Sequence, residues 1–145
     1  MKYQVNKAVV VGAGTMGAAL AAHLANAGIP TTLLDILPFK LTEKEEKKGL
    51  TLKDKDVRNR IVDGGLQAAK NSRPASFFSS DQQLLVKIGN LEDDFEVIAE
   101  ADLVIEAIIE NLEIKQDLMN RIDGIRKDSA IIATNTSGIP VKDIA

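Results

Sequence analysis

Val9-Val10-Val11-Gly12-Ala13-Gly14-Thr15-Met16-Gly17, followed by Asp35 at the tip of a second apolar run, decides how this chain reads. Val9 to Val11 end a buried strand. Gly12 permits a sharp turn, Gly14 brings bare backbone up to a diphosphate, and Gly17 lets the next helix pack closely on the sheet. That helix opens with unpaired N–H groups and the positive end of its dipole aimed at the phosphates. A lone G-x-G-x-x-G is a weak signal, because glycine-rich turns arise for ordinary backbone reasons. The surroundings supply the weight. An alanine-rich helix over Met16–Ala27 follows, Gly28 stands where a helix ends, and Thr31 to Leu34 form the next strand.

Asp35 closes that strand 23 positions after Gly12. The strand–helix–strand–acid unit is that of a dinucleotide-binding Rossmann domain. A carboxylate at Asp35 accepts hydrogen bonds from the ribose hydroxyls of NAD and repels the 2′-phosphate of NADP. Ile36 follows, and no Arg stands near enough to greet a phosphate, so NAD is expected over NADP. The competing reading of Asp35 is an acid that merely ends a strand in solvent.

Strands and helices alternate, which predicts an α/β fold: a doubly wound, mostly parallel sheet with covered faces. Strands are expected over Lys7–Val11, Thr31–Asp35, Lys87–Leu91, Asp102–Ala107 and Ser129–Thr134. The fourth reads as almost entirely apolar inside. A strong helix is expected over Glu113–Arg126, with Ile114, Leu118, Met119, Ile122 and Ile125 on its buried stripe. Phe95, Ile98 and Ala99 fit a short helix, and Val141–Ile144 begins another. A helical insertion occupies about 38–87. Within it, Thr42 to Glu45 has the form of a capping box, Glu43 and Lys47 are spaced for helical pairing, and Gly49 stops that helix. Val57, Ile61, Ala68 and Ala69 mark a second helix face weakened by Gly64-Gly65. Ser80–Val86 reads as a further helix with Leu84, Leu85 and Val86 buried.

One domain spanning 1–145 accounts for the length, and the apolar content of 45% and charged content of 27% are those of a soluble globular protein. No run of eighteen apolar residues is present, so no membrane span is expected. The N-terminus leads almost directly into the first strand, leaving no room for a signal peptide, and a cytoplasmic setting is expected. With no cysteine and a single histidine, neither disulfides nor a metal site is expected. Residues 40–73 carry ten Lys or Arg against six Asp or Glu, and residues 81–143 carry six against fourteen. Nucleic-acid binding needs a sustained basic face and is excluded as a function class. The local basic stretch reads first as a solvated, ion-paired surface, and secondly as a place for a phosphorylated ligand.

Three clusters fall at strand ends, where open α/β sheets bind ligands. They are the glycine turn, Glu106-Ala107-Ile108-Ile109-Glu110-Asn111-Leu112-Glu113-Ile114-Lys115, and Asn135-Thr136-Ser137. With Asp35 they resemble the NAD-binding domain of the L-3-hydroxyacyl-CoA dehydrogenases of fatty-acid β-oxidation. The likeness runs over nearly the whole chain, including the insertion. It implies a pyrophosphate turn at Gly12, Gly14, Thr15, Met16 and Gly17, and an adenosine-ribose carboxylate at Asp35. It implies a cofactor lining at Ile109 and Glu110, and a lysine at Lys115 that reaches the nicotinamide side. Ser137 would touch both nicotinamide and substrate oxygen, with Asn135 beside it. It further implies an acyl-CoA substrate, coenzyme A held by the basic arm, and a parent that is a homodimer or part of a multifunctional complex. Read alone, Glu110 and Lys115 pass more readily for solvated surface charges, and Ser137 and Asn135 for turn residues.

The family's catalytic histidine–glutamate pair lies beyond the Asn-Thr-Ser cluster, and this sequence ends eight residues after Ser137. His23, in the first helix, matches no catalytic position and reads as structural. The chain is therefore expected to be a fragment that binds NAD without turnover, lacking a C-terminal helical substrate and dimerisation domain. No hydratase module is expected ahead of it. Two other readings stand beside this one: a β-hydroxyacid dehydrogenase of another substrate class, which shares the G-x-G-x-M-G opening, and a regulatory domain that senses NAD without chemistry.

Overall fold

A strand buried on both faces must be apolar throughout, and all four residues of β1 (Ala8–Val11) are buried. The computed structural model describes residues 3–145; Met1 and Lys2, which open the expected domain, lie outside the described residues. After β1 come α1 (Thr15–Asn26), β2 (Thr31–Asp35), α2 (Glu43–Lys47), α3 (Lys55–Arg58), α4 (Arg60–Lys70), α5 (Ser80–Gln83) and β3 (Val86–Asn90). A 3-10 helix at Phe95–Glu100 leads to β4 (Leu103–Glu106), α6 (Leu112–Asp123), β5 (Ile131–Thr134) and α7 (Val141–Ile144). The five strands form one parallel sheet in the order β3-β2-β1-β4-β5. This is the Rossmann-like architecture that the sequence predicted.

The period-two alternation of β1 divides the core. Val10 faces one layer with Leu33, Val62, Leu66, Phe77 and the alanines Ala18, Ala21, Ala22 and Ala25 of α1. Val9 and Val11 face the other with Leu34, Ile98, Val104, Leu118 and Ile122. The small side chains of α1 let it lie close against the sheet, which fixes where its N-terminus emerges. His23 sits exposed on that helix.

Several local expectations change. α6 ends at Asp123 rather than Arg126, and its buried positions are Lys115, Leu118 and Ile122. Ile114 is turned outward at 45% exposure, because the spacing that buries Leu118 and Ile122 also points residue 115 inward. The helix expected over Ser80–Val86 stops at Gln83, since Val86 begins β3, and Leu84 is 81% exposed. Ala68 lies on the solvent side of α4, while Val62, Leu66 and Ala69 are buried. The capping box forms, with the Thr42 N–H donating to Glu45 Oε2 at 2.7 Å and the Glu45 N–H donating to Thr42 Oγ1 at 3.3 Å. Glu45 also takes Arg60 as its ion-pair partner, tying α2 to α4.

The N-terminal edge of the sheet is pinned by Asp102. Its Oδ2 accepts the N–H groups of Asn6 and Lys7 at 2.8 and 3.0 Å, and its Oδ1 pairs with the Lys127 ammonium. Hydrogen bonding from Lys127, then from the two backbone N–H groups, holds this carboxyl at about 2, below its ordinary 3.8. A depressed native value means stability that is present above the ordinary value and disappears as pH falls through the depressed one. Asp102→Asn should therefore lower the melting temperature at neutral pH, and the gap from wild type should close between about pH 4 and about pH 2. Thermal unfolding followed by circular dichroism across that range checks it.

Candidate functional site

The strand order reverses direction between β1 and β4, and the carboxyl ends of these two strands are where open parallel sheets form their ligand crevice. Gly12 makes the first turn out of β1 with φ +107°, a region that a side chain strains to enter. Its N–H donates to the Leu34 carbonyl at 2.8 Å. A Cβ on Gly12 would strike the Ala107 carbonyl, and one on Gly17 would strike the carbonyl oxygen of Gly12. Backbone therefore packs on backbone at the root of the crevice.

Gly14 caps α1 in an extended conformation, with no side chain bonded across the cap and no acid in the first turn. The opening N–H groups of the helix have no intrahelical partner, and they carry the positive end of a twelve-residue dipole. Nothing lies within 4 Å of where a Gly14 Cβ would stand. Gly14, Thr15 and Met16 are exposed, whereas Gly12 and Gly17 are buried. An open, donor-rich cradle at the positive end of a helix dipole fits a diphosphate.

Asp35 does more than end a strand. Its Oδ2 accepts the Ala13 N–H at 2.7 Å and its Oδ1 accepts the Ile36 N–H at 2.7 Å. The carboxylate thus clamps the glycine loop to the tip of β2. An ionised carboxylate offers about four acceptor sites, so lone pairs remain for a sugar hydroxyl.

The insertion is fastened to this same loop. Gly65 of α4 rests on the Ala13 carbonyl with no room for a Cβ. Asn59, between α3 and α4, accepts from Asn90 Nδ2 at 2.9 Å, and Asn90 is the register partner of Asp35. Asn90 also donates to Asp93, which Arg58 grips through two nitrogens at 2.7 and 2.8 Å. The Arg58 guanidinium, helped by Asn90, brings the Asp93 carboxyl down to about 2. Of the Gly64-Gly65 pair that weakened this helix on paper, Gly65 is what allows it to dock, while Gly64 faces open space.

The other end of the crevice is built on an ion pair. Glu106, at the tip of β4, is fully buried, and Lys115 of α6 is 1% exposed. The Lys115 ammonium lies 2.6 Å from Glu106 Oε1, 3.3 Å from the Ile108 carbonyl oxygen and 3.6 Å from Glu110 Oε1. Lys115 is thus no surface charge; its Nζ is turned into the protein. The Ile108 N–H donates to Glu106 Oε1 at 2.7 Å and the Thr134 hydroxyl to Glu106 Oε2 at 2.5 Å. Thr136 Oγ1 donates to Glu110 Oε2 at 2.7 Å. Ile109, Asn135 and Ser137 are exposed on the two strand-end loops. Sequence reasoning missed Glu106 and Thr134 as site-building residues. The signal was present: an acid interrupts the apolar run at the tip of β4, and a lysine takes a stripe position of α6.

Among the described residues, no helix is long and apolar enough to cross a membrane. A family model described as "3-hydroxyacyl-CoA dehydrogenase, NAD binding domain" matches residues 7–145. The chain is 45% identical over 145 residues to a probable 3-hydroxyacyl-CoA dehydrogenase of Bacillus subtilis (strain 168), covering 100% of this chain and 18% of that protein. It is 39% identical over 142 residues to a putative fatty acid oxidation complex trifunctional enzyme of Rickettsia felis, covering 98% of this chain and 18% of that protein. Among solved structures, the dehydrogenase part of multifunctional enzyme 1 from C. elegans superposes with a TM-score of 0.64 at 27% identity, covering 98% of this chain and 29% of that one. The chain thus spans between about a fifth and a third of the length of these relatives.

Docking of α4 on the glycine loop makes one sharp prediction. A helix-interior Gly→Ala change ordinarily stabilises by up to about 1 kcal/mol. Gly65→Ala should instead destabilise by about 1–3 kcal/mol, because the methyl group must displace the Ala13 backbone. Urea unfolding of the two proteins checks the sign.

Proposed function

This chain belongs to the 3-hydroxyacyl-CoA dehydrogenase NAD-binding-domain family, and from that premise we propose a division of labour along its crevice. The uncapped start of α1, with Gly12, Gly14, Thr15, Met16 and Gly17, holds the cofactor diphosphate. Asp35 holds the adenosine ribose. Ile109, Glu110, Asn135 and Ser137 line the nicotinamide half, with Lys115 set behind them on Glu106 and Ser137 also meeting the substrate oxygen. The observation that carries the reading is the Asp35 clamp: the carboxylate that should grip the sugar is already bonded at 2.7 Å to the loop that should grip the phosphates. Diphosphate cradle and sugar acceptor are therefore one rigid unit, preorganised for a single dinucleotide.

In the whole protein we assign the oxidation of an L-3-hydroxyacyl-CoA to the 3-oxoacyl-CoA. Bound NAD supplies the hydride acceptor for that reaction. The chain's own part is to bind and orient. The sole histidine of the sequence, His23, is exposed about 12 Å along α1 from Thr15 and is not assigned the hydroxyl proton. The base, and the helical domain that shapes the acyl site, are assigned to the remainder of the longer protein. The length of the relatives supports this. A homodimeric or multifunctional parent, coenzyme A against the basic arm, and a cytoplasmic setting belong to the same proposal. Several relatives carry names of fatty acid oxidation complexes, which favours the multifunctional form.

Calorimetric titration tests the Asp35 assignment. Wild type should bind NAD well ahead of NADP. Asp35→Ala should cost NAD about 1.5–3 kcal/mol, the scale of a charge-assisted hydrogen bond, and should cost NADP less. Equal affinity of wild type for the two cofactors overturns it. The longer protein should oxidise NADH with acetoacetyl-CoA, and the 145-residue chain should show no turnover; a longer protein inert in that assay overturns the activity.

A further inference from the structure

We propose that Glu106 is a positioning residue for the nicotinamide half of the crevice, setting the Lys115 ammonium and both strand-end loops as one unit. The inference rests on the cofactor reading above and adds to it a residue that touches no ligand.

Glu106 is fully buried, and its register neighbour Val11 and the nearby Leu34 of β2 are apolar. Packing alone would be served by another aliphatic side chain at this level. Instead the position holds a charge, and burying a charge is costly unless partners satisfy it. Here they do. Oε1 accepts the Ile108 N–H and the Lys115 ammonium, and Oε2 accepts the Thr134 hydroxyl. Among the described residues no buried side-chain polar atom lacks a partner.

The bonds form a closed circuit. Glu106 holds Lys115; Lys115 lies 3.6 Å from Glu110; Glu110 accepts the Thr136 hydroxyl. The Thr136 N–H donates to Thr134 Oγ1 at 3.2 Å, and the Thr134 hydroxyl returns to Glu106. Loop 107–111 after β4 and loop 135–140 after β5 are thereby locked to each other. These two loops carry Ile109, Glu110, Asn135 and Ser137. The glycine loop and Asp35 share no hydrogen bond with the circuit and have their own clamp, although Gly12 packs on the Ala107 carbonyl beside it. Damage at Glu106 should accordingly fall mainly on the nicotinamide half of the cofactor.

ADP-ribose separates the halves, since it keeps the adenosine and diphosphate and lacks the nicotinamide. Wild type, Glu106→Gln and Thr134→Val are titrated with NAD and with ADP-ribose by calorimetry, and their melting temperatures are measured. Glu106→Gln should raise the Kd for NAD about tenfold, the loss of one charge-assisted contact, and move that for ADP-ribose by less than about twofold. Thr134→Val exchanges a hydroxyl for a methyl group of similar shape and should shift NAD in the same direction by about threefold, with ADP-ribose unmoved. Equal losses for both ligands, or no loss for NAD, overturn the inference. Should Glu106→Gln fail to fold, Thr134→Val decides by the same criterion. A wild-type chain that binds neither ligand brings down the cofactor reading itself, and the inference with it.

Discussion

The architecture of this site depends on the removal of side-chain volume at three places where backbone meets backbone. Gly12 abuts the Ala107 carbonyl, Gly17 abuts Gly12, and Gly65 abuts Ala13. Together they stack the tip of β1, the start of α1, the loop after β4 and the inserted helix α4 into one contact. Only backbone can approach backbone this closely. The consequence is positional: the free N–H groups of α1 emerge at the strand tips, beside the Asp35 carboxylate, rather than a side chain's width away.

Electrostatics then distinguish the two ends of the crevice. At the glycine-loop end the helix dipole and free N–H groups present positive potential, with no acid in the first turn of α1 to cancel it. At the other end two carboxylates, Glu106 and Glu110, share one ammonium, Lys115. The first arrangement presents free donors to solvent. The second is mostly shut away from solvent and serves geometry. A buried ion pair is seldom a gain in stability over apolar packing, so its value here lies in fixing direction and distance.

The inserted arm is an integral wall of the site. It reaches the glycine loop through Gly65 and the tip of β3 through Asn59, Asn90, Asp93 and Arg58. The arm is thus held at a fixed place relative to the glycine loop.

Sequence alone determined the order of elements, the parallel sheet, the limits of β2 and the glycine–acid unit, because apolar periodicity, caps and glycine spacing are local properties of the chain. Read without the family resemblance, it placed Ile114 inside and Lys115 outside, and it read β4 as apolar within, because a stripe counted from hydrophobicity has no means of seeing a buried charge pair. The tertiary structure decided those points. Glu106 and Lys115 lie nine positions apart on different elements, and Thr134 arrives from a third. Each is tolerable in the interior only because the fold delivers the other two, and no local pattern records a partner that distant packing supplies.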